Sequence, residues 1–560
     1  MNKICDKCAS EFEISNDDSE FYTKVSPQVK GERFLIPPPS LCPICRNQRR
    51  MSWRNDRTFY HRTCALSGRS FISIYHPDCT APVLFPSEWH SDQWDGLEYG
   101  RNFDFSRPFF EQFTELQSVV PRLGIVQINC ENSDYCNHCT DLKNCYLDIG
   151  AQANEDCYYN QFVKYSKSCV DCMFVYRSTL CYECVNCHNC YNTRFSQYLE
   201  NCSDCSFCFD LKGCSNCLFC NHLRNQNYCV ENTQYAPEEY RAKLQELKLD
   251  SDAGLKQSNL NWHQSRLTKG VYRDMYTLNS EASTGNDIKN CYNCQGAFNA
   301  VDCEDCKYIY DVMEARDCYD LNYSLYHPEV CYELISSLQA QYSAFCMASF
   351  YSSNMLYCDL IYSSHNLFGC VGLRQKQYCF LNQQYSESEY QELIPRVIAH
   401  MRDCGEWGQF FPARYSLFGY NETIAHEYYP LAQETAVDQN FHWRQKNVEV
   451  AKRKDPPLTS EHVSQGPGIT TSKLHSCAGC GKNFRVINQE AEFYKEMELP
   501  LPTICSACRH LGRVALRNPR RLWQRLCNSC DQPITTSFPP HGTEQIYCEK
   551  CYHQYLYGDT

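Results

Sequence analysis

The sequence predicts a mainly β protein: a duplicated, cysteine-rich β-solenoid with capping helices and zinc-ribbon modules at both ends. Three observations predict this fold. Of the 43 cysteines in 560 residues, 28 lie between Cys130 and Cys379, at intervals that are nearly all multiples of three. Most of the others form CxxC pairs near the two ends of the chain. Two stretches of the middle segment also match each other at one common offset.

The terminal segments 1–57, 474–525 and 526–560 each contain two CxxC pairs and are predicted to be zinc ribbons. Two such turns direct four thiolates to one point, the tetrahedral arrangement that Zn²⁺ prefers. The predicted ligands are Cys5, Cys8, Cys42 and Cys45; Cys477, Cys480, Cys505 and Cys508; and Cys527, Cys530, Cys548 and Cys551. Disulfides are the alternative. The N-terminus has no apolar signal segment, which favours a reducing, cytoplasmic location and three structural Zn²⁺ ions.

Residues 58–95 are predicted to be a zinc-free relative of the second C-terminal ribbon. Cys64 lies 22 residues after Cys42, just as Cys527 lies 22 residues after Cys505. The remaining three ligand positions are expected to be held by Ser67, Pro86 and Trp89. We therefore expect aromatic packing in this module where the others hold a metal ion.

The middle of the chain is predicted to form two solenoid blocks, 96–250 and 251–443, each with a capping helix. Neither a helix, with 3.6 residues per turn, nor a flat strand repeats every three residues. The spacing instead indicates a coil of short rungs, about 12–15 residues per turn, whose narrow interior suits cysteine. Asn or Asp before cysteine, as in Asn144-Cys145, supplies a turn-forming residue. Free thiols packed in the core, or additional metal, clusters or disulfides, remain alternatives.

The two blocks are copies of each other, because residues 228–240 match 378–390 at an offset of 150. A capping helix is predicted to begin at Pro237 in the first block and after Ser386, within a capping box, in the second. The aromatic segments 99–113 and 410–429 are expected to close the body. Residues 444–473, rich in proline, glycine and basic side chains, are predicted to form a linker that leaves the C-terminal ribbons mobile.

Arginine-rich segments follow the second CxxC pair of both terminal ribbons. Guanidinium groups there could bind the phosphates of RNA or DNA, with neighbouring aromatic rings stacking on bases. The candidate residues are Arg46, Arg49, Arg50, Arg54 and Arg57, and Arg509, Arg513, Arg517, Arg520, Arg521 and Arg525. Alternatively, these arginines pair with carboxylates of this acidic chain, whose net charge is −13.

The sequence contains no catalytic motif of a nucleotide-binding, zinc-protease or serine-hydrolase type. No run approaches the roughly 18 apolar residues of a membrane span, so no membrane association is indicated. No small-molecule substrate is evident from the sequence either. The leading hypothesis is a non-enzymatic zinc-binding scaffold with a macromolecular partner, protein or RNA. One alternative is an RNA- or DNA-binding protein acting through the arginine segments. The other is metal storage or thiol redox buffering by the repeats.

The chain resembles uncharacterised cysteine-rich proteins of candidate-phyla bacteria. Those proteins combine ends of the form C-x2-C…C-x2-C-R with a long Asn-Cys and Asp-Cys repeat. Besides the CxxC pairs, the resemblance is carried by Tyr99-Gly100-Arg101, Asp104-Phe105-Ser106 and Phe418-Gly419-Tyr420-Asn421-Glu422. It covers almost the whole chain, and it implies this architecture without implying a particular activity.

Overall fold

The computed structural model describes residues 1–325, 328–445 and 474–558, and its body is a β-solenoid of about 20 turns. Most neighbouring parallel strands of the solenoid pair residues that lie 12 positions apart, such as Cys205 with Cys217, while Thr277 pairs with Ile288, 11 positions on. A typical turn therefore has 12 residues, the lower end of the expected range. The single-residue slip in the second block is one longer turn, in which Cys318 pairs with Cys331. A spacing of 15 residues equals one turn plus one three-residue side, so it relates cysteines on neighbouring sides of successive turns.

Each side of a turn consists of three residues with different roles. In the side that contains Asn144, Lys143 pairs with the turns above and below, Asn144 has a φ of 53°, and Cys145 points into the core. Asn and Asp are among the side chains that adopt positive φ most readily, which explains why they precede cysteine so often. Asn144 also donates a hydrogen bond to the carboxylate of Asp156 in the next turn, at 3.2 Å.

The inward cysteines are free thiols whose hydrogen-bond partners are backbone carbonyls. Cys187 Sγ lies 3.5 Å from the oxygen of Val185 and 3.8 Å from the oxygen of Ser196 in the next turn. Burial raises the pKa of several core thiols, such as Cys136, Cys139 and Cys346, well above the usual value, so these thiols stay protonated. In the part of the chain that is described, metal-ligand atoms gather only at the chain ends. These observations support packed free thiols.

The strands are short, and most belong to the two solenoid blocks. The first block contains Gln127–Ile128, Cys139–Thr140, Met173–Tyr176, Val185–His188, Gln197–Glu200, Ser203–Ser206, Phe209–Lys212, Ser215–Leu218, Asn227–Val230 and the antiparallel Thr233–Gln234. The second contains Thr277–Leu278, Gly285–Lys289, Ala297–Val301, Tyr310–Met313, Arg316–Tyr319, Ser324–Leu325, Glu329–Tyr332, Ser336–Leu338, Gln341–Ala344, Ala348–Phe350, Ser353–Leu356, Ile361–Tyr362, His365–Phe368, Gln377–Phe380 and the antiparallel Gln383–Gln384.

The remaining strands belong to the terminal modules and their attachments. They are Asn2–Ile4, Glu11–Glu13, Gln28–Val29, Glu32–Arg33, Tyr60–Thr63, Ser70–Ser73, Val83–Leu84, Arg122–Leu123, Val271–Arg273, His475–Ser476, Asn483–Phe484, Trp523–Leu526, Pro533–Thr536 and Gln545–Tyr547. The helices are α1 (Asn16–Val25), α2 (Pro43–Met51), α3 (Pro86–Trp89), α4 (Phe109–Gln117), α5 (Pro237–Glu246), α6 (Asp252–Lys269), α7 (Glu387–Asp403), α8 (Ile424–Tyr428), α9 (Gln433–Asp438), α10 (Asn488–Glu496), α11 (Ser506–Ala515) and α12 (Glu549–Tyr557).

Both predicted capping helices are present, as α5 and α7. Ser386 caps α7 through the predicted capping box, since the N–H of Glu389 donates to its hydroxyl at 3.3 Å. Each helix contacts its block in the same way. The ring centroids of Tyr228 and Tyr240 lie 5.8 Å apart, and so do those of their equivalents, Tyr378 and Tyr390.

Each segment that precedes a solenoid block was expected to pack on that block, but it packs on the other one. Phe109, before the first block, contacts Phe368 of the second block at a ring distance of 5.6 Å. Conversely, Arg266 of α6, expected in the second block, lies 4.6 Å above the ring of Phe209 in the first. The expected boundaries 96–250 and 251–443 therefore do not separate the packing units.

Candidate metal centres and module docking

The twelve predicted zinc ligands form three four-cysteine centres. In each centre the four Sγ atoms lie within 4.8 Å of one another. The Sγ–Sγ distances are 3.7 Å for Cys8–Cys42, 3.8 Å for Cys477–Cys508 and 3.9 Å for Cys530–Cys548. A tetrahedron with metal–sulfur bonds of about 2.3 Å has edges of about 3.8 Å. The donor sets therefore fit one tetrahedral metal ion each.

Each centre combines a hairpin with a helix. The first CxxC pair lies in the turn between two antiparallel strands, and the residue after it has a positive φ: Ala9, Gly481 and Asp531. The second pair begins a helix, with its first cysteine as the N-cap: Cys42, Cys505 and Cys548. The backbone N–H of that cysteine donates to the first thiol of the centre at 3.2 Å in all three.

These N–H donors favour ionised thiols. The N–H of Cys505 lowers the pKa of the Cys477 thiol to about 6. At Cys527, burial opposes ionisation, but neighbouring N–H groups, that of Cys548 first, lower the pKa to about 7. Because a metal binds the thiolate, these two lowered pKa values favour metal binding at Cys477 and Cys527, whereas burial and the neighbouring thiols raise the pKa of Cys508 to about 12.

The fourth module, residues 58–95, has the same hairpin and helix with a different centre. The N–H of Phe85 donates to Cys64 Sγ at 3.3 Å, as the N–H of Cys548 does to Cys527. The Cys64 thiol and the Ser67 hydroxyl both donate to the carboxylate of Glu88, at 2.7 and 2.6 Å. A carboxylate network thus occupies the centre of this module.

The expectation for this module was wrong in two respects. Phe85 and Glu88, 21 and 24 residues after Cys64, hold the last two ligand positions, not Pro86 and Trp89. The centre is polar rather than aromatic. Trp89 is fully buried elsewhere, with its indole N–H donating to the carbonyl of Pro121 at 3.0 Å.

The N-terminal arginine segment docks its ribbon onto the second solenoid block. Arg46 Nε lies 2.7 Å from a carboxylate oxygen of Asp320, and Arg50 Nη1 lies 3.2 Å from the other. Arg49 pairs with Glu333 in the next turn at 2.6 Å. The side chains of Arg46, Arg50 and Asp320 are at most 1% exposed.

The C-terminal ribbon docks onto the first block through equivalent residues. Arg509 and Arg513 contact the two oxygens of Asp171, at 2.7 and 2.9 Å. Arg513 also pairs with Glu183 in the next turn, at 3.1 Å. The N-terminal ribbon therefore binds the second block and the C-terminal ribbon the first, in a pseudo-twofold arrangement.

Strand pairing extends this arrangement to the outer modules. Val83–Leu84 pairs in parallel with Arg122–Leu123 at the entrance to the first block. Gln545–Tyr547 pairs in parallel with Val271–Arg273 at the entrance to the second. The expected mobility of the C-terminal ribbons is thus wrong, since both are held against the body. The predicted linker, apart from its first two residues, lies outside the described residues.

Most of the other candidate arginines also contact the protein itself. The pairs are Arg54 with Asp56 at 2.7 Å, Arg517 with Asp287 at 3.1 Å and Arg520 with Asp311 at 2.7 Å. Arg57 and Arg525 donate to the carbonyls of Asn160 and Pro539. Arg521 is the exposed member of the set. These contacts favour pairing with the chain's own carboxylates over a phosphate-binding surface.

Two histidines of the first block lie apart from the four-cysteine centres. His138 is partly buried, with Nε2 3.5 Å from the carboxylate of Asp56. His188 stacks on the ring of Tyr176 at 5.0 Å, in the wall of a cleft of about 420 Å³. Neither belongs to a group of metal ligands among the described residues. The cleft itself had no signal in the sequence pattern.

No known family model matches this chain, and no curated protein matches it. Within the described ranges, every helix is too short or too polar to cross a bilayer. The function is therefore inferred from the chain's own residues.

Proposed function

We propose that the protein is a non-enzymatic scaffold that holds three structural Zn²⁺ ions and presents its surface to a macromolecular partner in a reducing compartment. The tetrathiolate geometry carries the proposal, because the Sγ–Sγ distances of 3.7–3.9 Å match the edges of a zinc–thiolate tetrahedron. Four cysteine ligands leave no open position for water or substrate, which supports a structural role.

The terminal ribbons have little core of their own. Around the first centre the buried cluster consists of Cys5, Cys42 and Cys45 themselves, with a few partly buried apolar neighbours. A bound metal ion would supply the folding free energy that this core lacks. Once folded, α2 presents Arg46 and Arg50 four residues apart on one face, where they meet Asp320. Metal binding would thus support docking of the ribbons on the body.

Exposed aromatic side chains on the solenoid support a protein partner. Tyr191, Tyr292 and Tyr342 are 52–53% exposed. Tyrosine is enriched in protein interfaces relative to the rest of the surface. An RNA partner is less well supported, because most candidate arginines pair within the chain.

Metal content of single-cysteine variants tests the proposal. Cys8→Ser and Cys480→Ser each remove one ligand of a different centre, so we expect about two Zn²⁺ per chain instead of three. The matched control is Cys404→Ser, since Cys404 is exposed and outside every centre. Inductively coupled plasma mass spectrometry of the purified chains gives the counts. Unchanged zinc in both ligand variants would contradict the proposal.

The scaffold role needs a second measurement. The tagged chain and the Cys8→Ser/Cys480→Ser double variant are used for cross-linked pull-downs from the native host. We expect a protein captured by the native chain and by the Cys404→Ser control but lost with the double variant. Capture of the same set by all three chains would contradict a role for the docked modules in partner binding.

A further inference from the structure

A cleft of about 420 Å³ opens where the first block, the first turns of the second block and α12 meet. The rings of Tyr198 and Tyr276, one from each block, stack in its lining at a centroid distance of 4.0 Å. The volume lies within the roughly 300–1,000 Å³ of small-molecule sites. Its position between two blocks and a terminal module is also typical of such sites.

Among the described residues that line the cleft, Lys289 is a cation without a direct ion pair. All four lining carboxylates have basic partners: Glu200 with Lys212, Asp210 with Arg224, Asp287 with Arg517, and Glu549 with Arg273. Among the described residues, no carboxylate lies within ion-pair distance of Lys289. Its ammonium group affects the neighbouring His188, where burial first and Lys289 second lower the pKa to about 4. The lining therefore offers a neutral imidazole beside an ammonium group that makes no direct ion pair, although, against the effect of burial, Lys212 and Lys289 together hold the pKa of Glu200 below its usual value.

The duplication provides an internal comparison. At the offset of 150, the equivalent cleft beside the second block has a volume of about 70 Å³. Apolar or smaller side chains replace the polar ones at equivalent positions: Phe350 for Glu200, Tyr362 for Lys212, Leu360 for Asp210 and Ala348 for Tyr198. The ion pair of Glu200 and Lys212, at 3.0 Å, thus corresponds to stacked rings 4.3 Å apart.

The comparison shows that this fold can close the cleft. Phe418 and Trp53 help to fill the second one, and an apolar wall of this kind is favourable for stability. The first block instead keeps partly buried ion pairs, whose desolvation opposes folding. An open, polar cleft retained at a cost in stability indicates binding rather than a packing defect.

We propose that this cleft binds a small organic anion with a flat aromatic portion, through Lys289 and His188 at the anionic group and tyrosine rings at the aromatic group. The proposal uses none of the metal ligands, although α12, whose N-cap is Cys548, lines the cleft. It also differs from the sequence-based expectation, in which no small-molecule ligand was evident.

The test uses 8-anilinonaphthalene-1-sulfonate, an aromatic anion whose fluorescence rises on binding. Titration of the full chain is expected to show one saturable site, weakened at least about tenfold by Lys289→Glu. Lys143→Glu is the matched control, because Asp141-Leu142-Lys143-Asn144-Cys145 matches Asp287-Ile288-Lys289-Asn290-Cys291 and Lys143 is exposed. The neutral analogue N-phenyl-1-naphthylamine is expected to bind at least about tenfold more weakly than the anion.

A second variant separates loss of the site from loss of the fold. Glu200→Phe copies the closed cleft by introducing the side chain found at position 350. We expect it to abolish saturable binding while the thermal unfolding temperature stays within about 2 °C of the native value. Equal affinity for the anion in the native chain, Lys289→Glu and Glu200→Phe would overturn the proposal, because it would mark nonspecific surface adsorption.

Discussion

Replacing Asp171 by asparagine removes the carboxylate that two buried arginines share. The side chain of Asp171 is 0% exposed, and those of Arg509 and Arg513 are 3% and 1% exposed. Breaking a buried ion pair by removing one partner costs about 3–5 kcal/mol, because it leaves a buried charge uncompensated. Each arginine keeps a second carboxylate, Glu490 at 2.8 Å and Glu183 at 3.1 Å. We therefore expect Asp171→Asn to cost about 3 kcal/mol, the lower end of this range.

The loss should appear first as weaker docking of the C-terminal ribbon. Hydrogen–deuterium exchange of α11, which carries both arginines, measures the free energy of local opening. A decrease of about 3 kcal/mol corresponds to exchange about 150-fold faster. Asp320→Asn should have the same effect on α2, because Asp320 holds Arg46 and Arg50 in the equivalent place.

The control breaks an exposed pair in the same block. Glu155 and Lys167 lie 3.3 Å apart with side chains 42% and 52% exposed. Because exposed ion pairs contribute at most about 1 kcal/mol, Glu155→Gln should change the exchange of α11 less than about fivefold. If Asp171→Asn leaves α11 as protected as this control does, the account of docking through buried ion pairs is wrong.

Two further predictions concern the first block and the fourth module. Burial raises the pKa of Asp148 from 3.8 to about 7, so the folded state holds a proton that the unfolded state releases, and stability falls as pH rises from about 4 to 7. Asp148→Asn should remove this loss. Because about 1.7 of the roughly 4.4 kcal/mol is already lost at pH 5, urea unfolding should show the variant gaining about 2.5 kcal/mol relative to the native chain between pH 5 and 7.5, and a constant difference would contradict this. The triple variant Ser67→Cys/Phe85→Cys/Glu88→Cys completes four thiols with Cys64, so native mass spectrometry should find a fourth zinc ion. The control Ser67→Cys alone should not add one. Three ions in the triple variant would refute the equivalence of this centre with the four-cysteine centres.

The solenoid could be predicted because the residue types in each triplet depend on the local conformation. Asn144 and Cys145 show the pattern, since the first needs to tolerate positive φ and the second needs to fit a narrow core. The turn length could not be fixed from the pattern, because steps of 12 and 15 residues are both multiples of three. Pairing of Cys205 with Cys217 resolves this in favour of 12.

The metal centres were predictable because CxxC geometry is local, whereas module docking was not. Arg513 and Asp171 are far apart in sequence, and nothing near either residue indicates which block a ribbon binds. The crossed arrangement depends on packing between whole blocks. The cleft was hidden for the same reason, since Lys289 and His188 belong to different blocks. The Phe85 and Glu88 positions, in contrast, could have been found from the spacing after Cys64.

Native mass spectrometry of the full chain tests the central claim most directly, because one mass reports both bound metal and thiol oxidation. The account divides the 43 cysteines into twelve ligands in three centres and free thiols elsewhere. It predicts three zinc ions and no mass loss from disulfides, each of which removes two hydrogen atoms. Eight or more metal ions, or a mass deficit from disulfides within the solenoid, would contradict it.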